Sequence, residues 1–181
     1  MQLRDDAHRY GAVSVALHWV VALVVFALFG LGLWMTSLTY YDPWYRLGPW
    51  WHKSIGVVLF AVVLLRLGWR LWSVHPHPLP NHRPWERVGA RLVHGLLYLL
   101  LLAVMVSGYL ISTADGRALG VFDLFAIPAT VTGLENQEDV AGQVHLVLAS
   151  TLVGLAALHA LAALKHSLID KDRTLARMLG R

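Results

Sequence analysis

Apolar and charged positions are segregated along this chain rather than interleaved. Residues 19–36, 54–65, 92–114 and 144–164 contain no Asp, Glu, Lys or Arg. An amphipathic helix of a soluble protein would return a charged residue every turn or two, and these runs do not. Three of them reach the length that spans a hydrocarbon core about 30 Å thick. The run from Ser54 reaches it if Arg66 and Arg70 mark its aqueous end. The pattern predicts an all-α membrane protein, a four-helix up-down-up-down bundle with helices at about 12–37, 51–73, 84–113 and 138–167. No repeat or second domain interrupts it, so residues 1–181 read as one transmembrane domain.

The connections differ in character. Residues 38–50 are short, aromatic and turn-rich, with Asp42-Pro43 and Gly48-Pro49. Residues 74–84 read VHPHPLPNHRP, where four prolines enforce an extended, semi-rigid loop. Residues 114–137 form the longest link, and its apolar centre GVFDLFAIP is expected to lie on the membrane surface as a short helix.

Composition agrees: 57% of residues are hydrophobic, 14% are charged, and the mean hydropathy is +0.55. Charge adds an orientation. Twelve of the fifteen Lys and Arg residues fall on the side of the two termini and the 66–91 connection; only Arg46, Lys53 and Arg117 fall on the other. The positive-inside rule then puts both termini on the cytoplasmic side of the membrane. The basic balance reflects topology and calls for no nucleic-acid partner. The first apolar run is too long for a cleavable signal and lacks a small-residue cleavage site. Cysteine is absent, which excludes disulfides, iron–sulfur ligation and covalent c-type haem attachment.

Candidate chemistry lies in the apolar segments. An ionisable residue at membrane depth is costly, and five histidines stand there: His18, His52, His94, His145 and His159. One alone would be read as an interhelical hydrogen bond. Five at two depths suggest metal centres. His145 and His159 are 14 residues apart, which puts them on one helix face with roughly 21 Å of rise between them. Following the chain through the membrane places His52 and His145 near the outer side, and His18, His94 and His159 near the inner. Facing imidazoles suit bis-histidine ligation of haem iron. Structural zinc would want four ligands, and a proton relay would want carboxylates at depth; neither is available. The outer pair is then His52 with His145. The inner pair is His159 with either His18 or His94, and spacing does not choose.

The residues that carry these histidines also carry a resemblance. HWV at the first helix start, WHKSIG at the second, PHPLP followed by RVGARLVHGLLYLLL, and H-x13-H in the last helix resemble the bacterial cytochrome b561 family, from about Tyr10 to Leu179. That family is related to the di-haem b subunits of membrane formate dehydrogenases and hydrogenases. The resemblance implies two non-covalent b haems, with His18 and His159 as inner ligands and His52 and His145 as outer ones. His94 is left as a neighbour of the inner haem, bonding a propionate or backbone, or contacting quinone. Propionates need cations: Arg46 and Lys53 are the outer candidates, and Arg66, Arg70 and Arg91 the inner ones. Gly30, Gly32, Gly56, Gly108, Gly142 and Gly154 could admit a flat macrocycle, although helix packing explains most of them equally well. The loop histidines His75, His77 and His82, with His8, read as solvated residues before they read as a surface metal site.

Two stacked haems would conduct electrons across the membrane. One stand-alone activity that the resemblance implies is superoxide oxidation at the outer face with electrons passed to ubiquinone. Arg46 and Lys53 would then steer the anion within an otherwise acidic outer surface. The alternative is a haem-carrying membrane anchor for a separate dehydrogenase or other periplasmic redox partner protein, passing electrons to or from quinone and docking through residues 114–137. A non-redox transporter or structural protein is the third reading.

Overall fold

The computed structural model describes residues 2–180 and holds four helices long and apolar enough to cross a membrane. They are α1 (Ala12–Met35), α2 (Leu47–Trp72), α3 (Pro84–Ser112) and α4 (Gln137–Leu168), followed by the short α5 (Thr174–Met178). α2 starts four residues before the sequence expectation. Pro49 sits in its first turn, where the missing N–H would have had no helical partner, so Gly48-Pro49 opens the helix instead of breaking it.

α1 packs chiefly on α2, and α3 chiefly on α4, so the bundle is built from two helix pairs. A thin line of aliphatic side chains closes it at mid-height: Val21 and Leu28 from α1, Leu59 and Val63 from α2, Leu101 from α3 and Leu152 from α4. Leu, Val and Phe crowd the outward faces, as lipid-facing positions require.

The end bearing both termini is a layer of tied segments. Gly11 precedes α1 with no capping side chain of its own. The Asp5 carboxylate substitutes, accepting from the Gly11 N–H (2.6 Å) and the Ser14 hydroxyl (2.6 Å). A Cβ at Gly11 would run into the backbone of Leu3 and Arg4 at 2.4 Å, so only glycine fits there. The loop after α2 joins this layer through the His77 N–H, which donates to the Ala7 carbonyl (2.9 Å). α5 folds back on α1, where the Trp19 indole donates to the Met178 carbonyl (2.7 Å).

At the opposite end the expected surface helix is absent. Residues 119–127 form an antiparallel hairpin, β1 (Leu119–Val121) with β2 (Phe125–Ile127), in register Val121 to Phe125. GVFDLFAI alternates branched, aromatic and small residues, a pattern suited to a half-buried strand, and it is too short to nucleate an unsupported helix. Phe122 and Asp123 turn the chain with φ of 49° and 57°, the left-handed pair that a tight hairpin needs. α2 holds this strained turn in place. The buried Ser54 hydroxyl accepts the Phe122 N–H (3.0 Å), and the Phe122 ring packs edge-on against Trp50 and Trp51.

Candidate functional site: two imidazole layers

Near the hairpin end, His52 of α2 faces His145 of α4 across the bundle, with ring centres 6.2 Å apart. No hydrogen bond joins them. Two imidazoles bonded through Nε2 to one metal at about 2 Å would have ring centres about 6 Å apart, and the observed spacing fits. The His145 Nδ1 lies 2.9 Å from the Val104 carbonyl, which can only accept. The proton therefore belongs on Nδ1 and the Nε2 lone pair is free, the orientation that a ligating histidine needs. The Ser107 hydroxyl stands 3.1 Å from the same nitrogen. His52 Nδ1 is buried with no hydrogen-bond partner among the described residues.

Two of the six glycines noted in the sequence press on these rings. A Cβ at Gly32 would come within 3.1 Å of the His52 ring, and one at Gly108 within 3.1 Å of the His145 ring. Gly56 and Gly142 lie one turn from His52 and His145 on the same helix faces, and a Cβ at either would meet nothing within 4 Å. The outer pair is thus backed by backbone and flanked by free space, as a flat macrocycle would require.

Near the terminal end, His159 of α4 is the centre of a triplet. Its ring centre lies 6.4 Å from that of His18 on α1 and 5.0 Å from that of His94 on α3. The first spacing matches the His52–His145 pair; the second is too short for two nitrogens on opposite sides of one metal. Arg66 places its Nη2 2.9 Å from His18 Nδ1. Arg66 and Arg70 also lie over the Tyr98 ring, at 5.5 and 6.0 Å from its centre.

Arg46 and Lys53 are exposed at the hairpin end, and neither has a carboxylate partner among the described residues. Arg91 is exposed at the terminal end, and His8, His75 and His77 are solvated. Tyr98 was not legible as a site residue in the sequence. Its hydroxyl is buried without a hydrogen-bond partner, one turn from His94 on the same face of α3. The i, i+4 spacing of His94 and Tyr98 was the available signal.

The sequence profile described as prokaryotic cytochrome b561 matches residues 9–181. The chain belongs to the prokaryotic cytochrome b561 family. Cytochrome b561 homolog 2 of Escherichia coli K12 is 49% identical over 181 residues, covering all of this chain and 96% of that one. Cytochrome b562 of Cereibacter sphaeroides is 31% identical over 94% of both chains. A probable superoxide oxidase, CybB, of Yersinia pestis is 29% identical over 94% of this chain and 96% of its own. Membership in the cytochrome b561 family makes this a multi-pass membrane electron-transfer protein, and it implies b-type haem.

Proposed function

We propose that the chain carries two b haems, one held by His52 and His145 and one by His18 and His159, and that it passes electrons from superoxide on the periplasmic side to membrane quinone. The carrying observation is the repeated imidazole spacing, 6.2 and 6.4 Å, in two layers that share α4. Bound there, haem supplies stepwise one-electron transfer along the bundle axis. The protein's own part is orientation and charge. The Val104 carbonyl and Gly108 fix the His145 ring, and Gly32 fixes that of His52.

The inner layer makes a further demand. Ligation through Nε2 leaves the His18 proton on Nδ1, where the permanently cationic Arg66 cannot donate. Arg66 would then need another acceptor, and an anionic haem propionate would supply one. His94 and Tyr98 remain, one turn apart on the same face of α3, as hydrogen-bonding groups suited to a quinone carbonyl. The balanced reaction oxidises two superoxide ions to two dioxygen molecules. It reduces one quinone, which takes two protons to become quinol.

The test is haem quantitation with a reduced-minus-oxidised spectrum on the purified chain. Two haems are expected in the native protein and one in each of His52→Ala and His159→Ala. Superoxide should reduce the native protein, and added quinone should reoxidise it. A native protein with one haem or none would refute the two-layer assignment. A second reading draws on the hairpin tip, where Leu124 is 82% exposed. An apolar tip suits docking of a redox partner, in which case that subunit would remain bound on gentle solubilisation and superoxide would not reduce the isolated chain.

A further inference from the structure

A second constellation of metal-ligating side chains lies outside the bundle core, at the terminal end. It brings His82 from the proline-rich loop against two residues more than 80 positions later, His166 from the last turn of α4 and Asp172 from the link to α5. His82 Nε2 stands 2.9 Å from Asp172 Oδ2, and His166 Nδ1 stands 3.6 Å from the same oxygen. All three donor atoms fall within 4.8 Å of one another. The two imidazole rings lie 4.6 Å centre to centre and tilted by 39°, with no hydrogen bond between them.

The site is built rather than incidental. Asp172 is 6% exposed and His166 14%. Burial works to raise the Asp172 carboxyl, but hydrogen bonds from Thr174, Asn81 and His82 outweigh it and hold the group below the usual carboxylate range. It is ionised and ready to ligate. His166 Nδ1 is buried, and although Asp170 approaches to 2.7 Å, neither carboxylate completes a well-directed hydrogen bond to it. That nitrogen faces two carboxylates, Asp170 at 2.7 Å and Asp172 at 3.6 Å, a setting that suits a bound cation.

A neighbouring triplet of Glu86, His166 and Asp170 offers a similar set of atoms. It already holds a cation: the Lys165 ammonium sits 2.6 Å from Asp170 and 3.3 Å from Glu86. The His82–His166–Asp172 triplet contains no such internal cation.

We propose that His82 Nε2, His166 Nδ1 and a carboxylate oxygen of Asp172 bind a divalent transition metal ion of the zinc class. Two imidazoles and one carboxylate form a nitrogen- and oxygen-rich set that suits zinc, with water or the Thr174 hydroxyl at the fourth position. The Thr174 Oγ1 is 3.3 Å from His82 Nε2, within reach of an ion placed there. Occupancy clips the 74–83 loop and the C-terminal segment to the end of α4. His166 lies seven residues beyond His159, about 10 Å along the same helix and close to the same face, so the clip steadies the helix end that carries the inner imidazole. This site is independent of the haem assignment.

The experiment uses the full chain in detergent, without a histidine tag and treated with chelator, titrated with Co²⁺ by its visible d–d absorption and then competed with Zn²⁺. One saturable equivalent of Co²⁺, displaced by Zn²⁺, is expected. Affinity should fall at least about tenfold in His82→Gln and, independently, in Asp172→Asn, while His75→Gln binds as the native chain does. Helical circular dichroism checks that each variant is folded; the two sit on different segments, so one misfolded variant leaves the other decisive. The proposal is overturned if no saturable equivalent binds, or if both variants bind normally. Loss in Asp170→Asn with retention in Asp172→Asn would also overturn it.

Discussion

At the scale of single residues, the site depends on what stands behind each imidazole as much as on the imidazoles themselves. A histidine in a bundle can rotate about two torsions, and only packing selects the rotamer that presents Nε2 to the interior. Gly32 and Gly108 do this by bringing helix backbone against the rings. Gly108→Val should therefore displace His145, because even the first added carbon meets the ring at 3.1 Å. The expected result is loss of one haem, or a shifted spectrum for it, with the other haem's absorption retained. Ser107→Ala should be far milder, since the Val104 carbonyl still fixes the His145 tautomer at 2.9 Å.

At the scale of elements, the hairpin shows how a tertiary contact overrides local preference. Phe122 in a left-handed conformation costs on the order of 1–3 kcal/mol, and the turn persists because α2 pins it. Ser54→Ala removes the acceptor of the Phe122 N–H and leaves a buried donor unpaired, a loss of about 1–3 kcal/mol. Faster hydrogen exchange at Phe122 and Leu124, with the helices unchanged, would report it; unchanged exchange would mean the aromatic contacts alone hold the turn. The four spans were legible in the sequence because lipid imposes a single rule on long stretches. The hairpin was not, because its register and turn depend on Ser54 and Trp50, some 70 residues earlier. The histidine layers were legible from depth and spacing. The distances around His159 were not, because the 6.4 Å to His18 and the 5.0 Å to His94 are set by how α1 and α3 pack on α4, which spacing along the chain does not encode.

At the scale of the whole molecule, charge is distributed by side. The terminal end is strongly basic, whereas the hairpin end carries three cations among several carboxylates. Arg46 at the N-cap of α2 and Lys53, next in sequence to His52, are both exposed, so a local positive field is available to an arriving anion. Lys53→Glu should lower the rate of reduction by superoxide several-fold and flatten its dependence on ionic strength, as measured by pulse radiolysis or a xanthine oxidase assay. An unchanged rate and salt dependence would remove electrostatic steering from the proposal.

One feature of the architecture reaches beyond the finished protein. Both imidazole layers depend on α4: its His145 faces His52 of α2, and its His159 faces His18 of α1 and His94 of α3. α4 is the last of the four spans to leave the ribosome, so neither layer can assemble until all four spans have been made. If these layers hold haem as proposed, a chain truncated before α4 would have no complete centre at which to capture it.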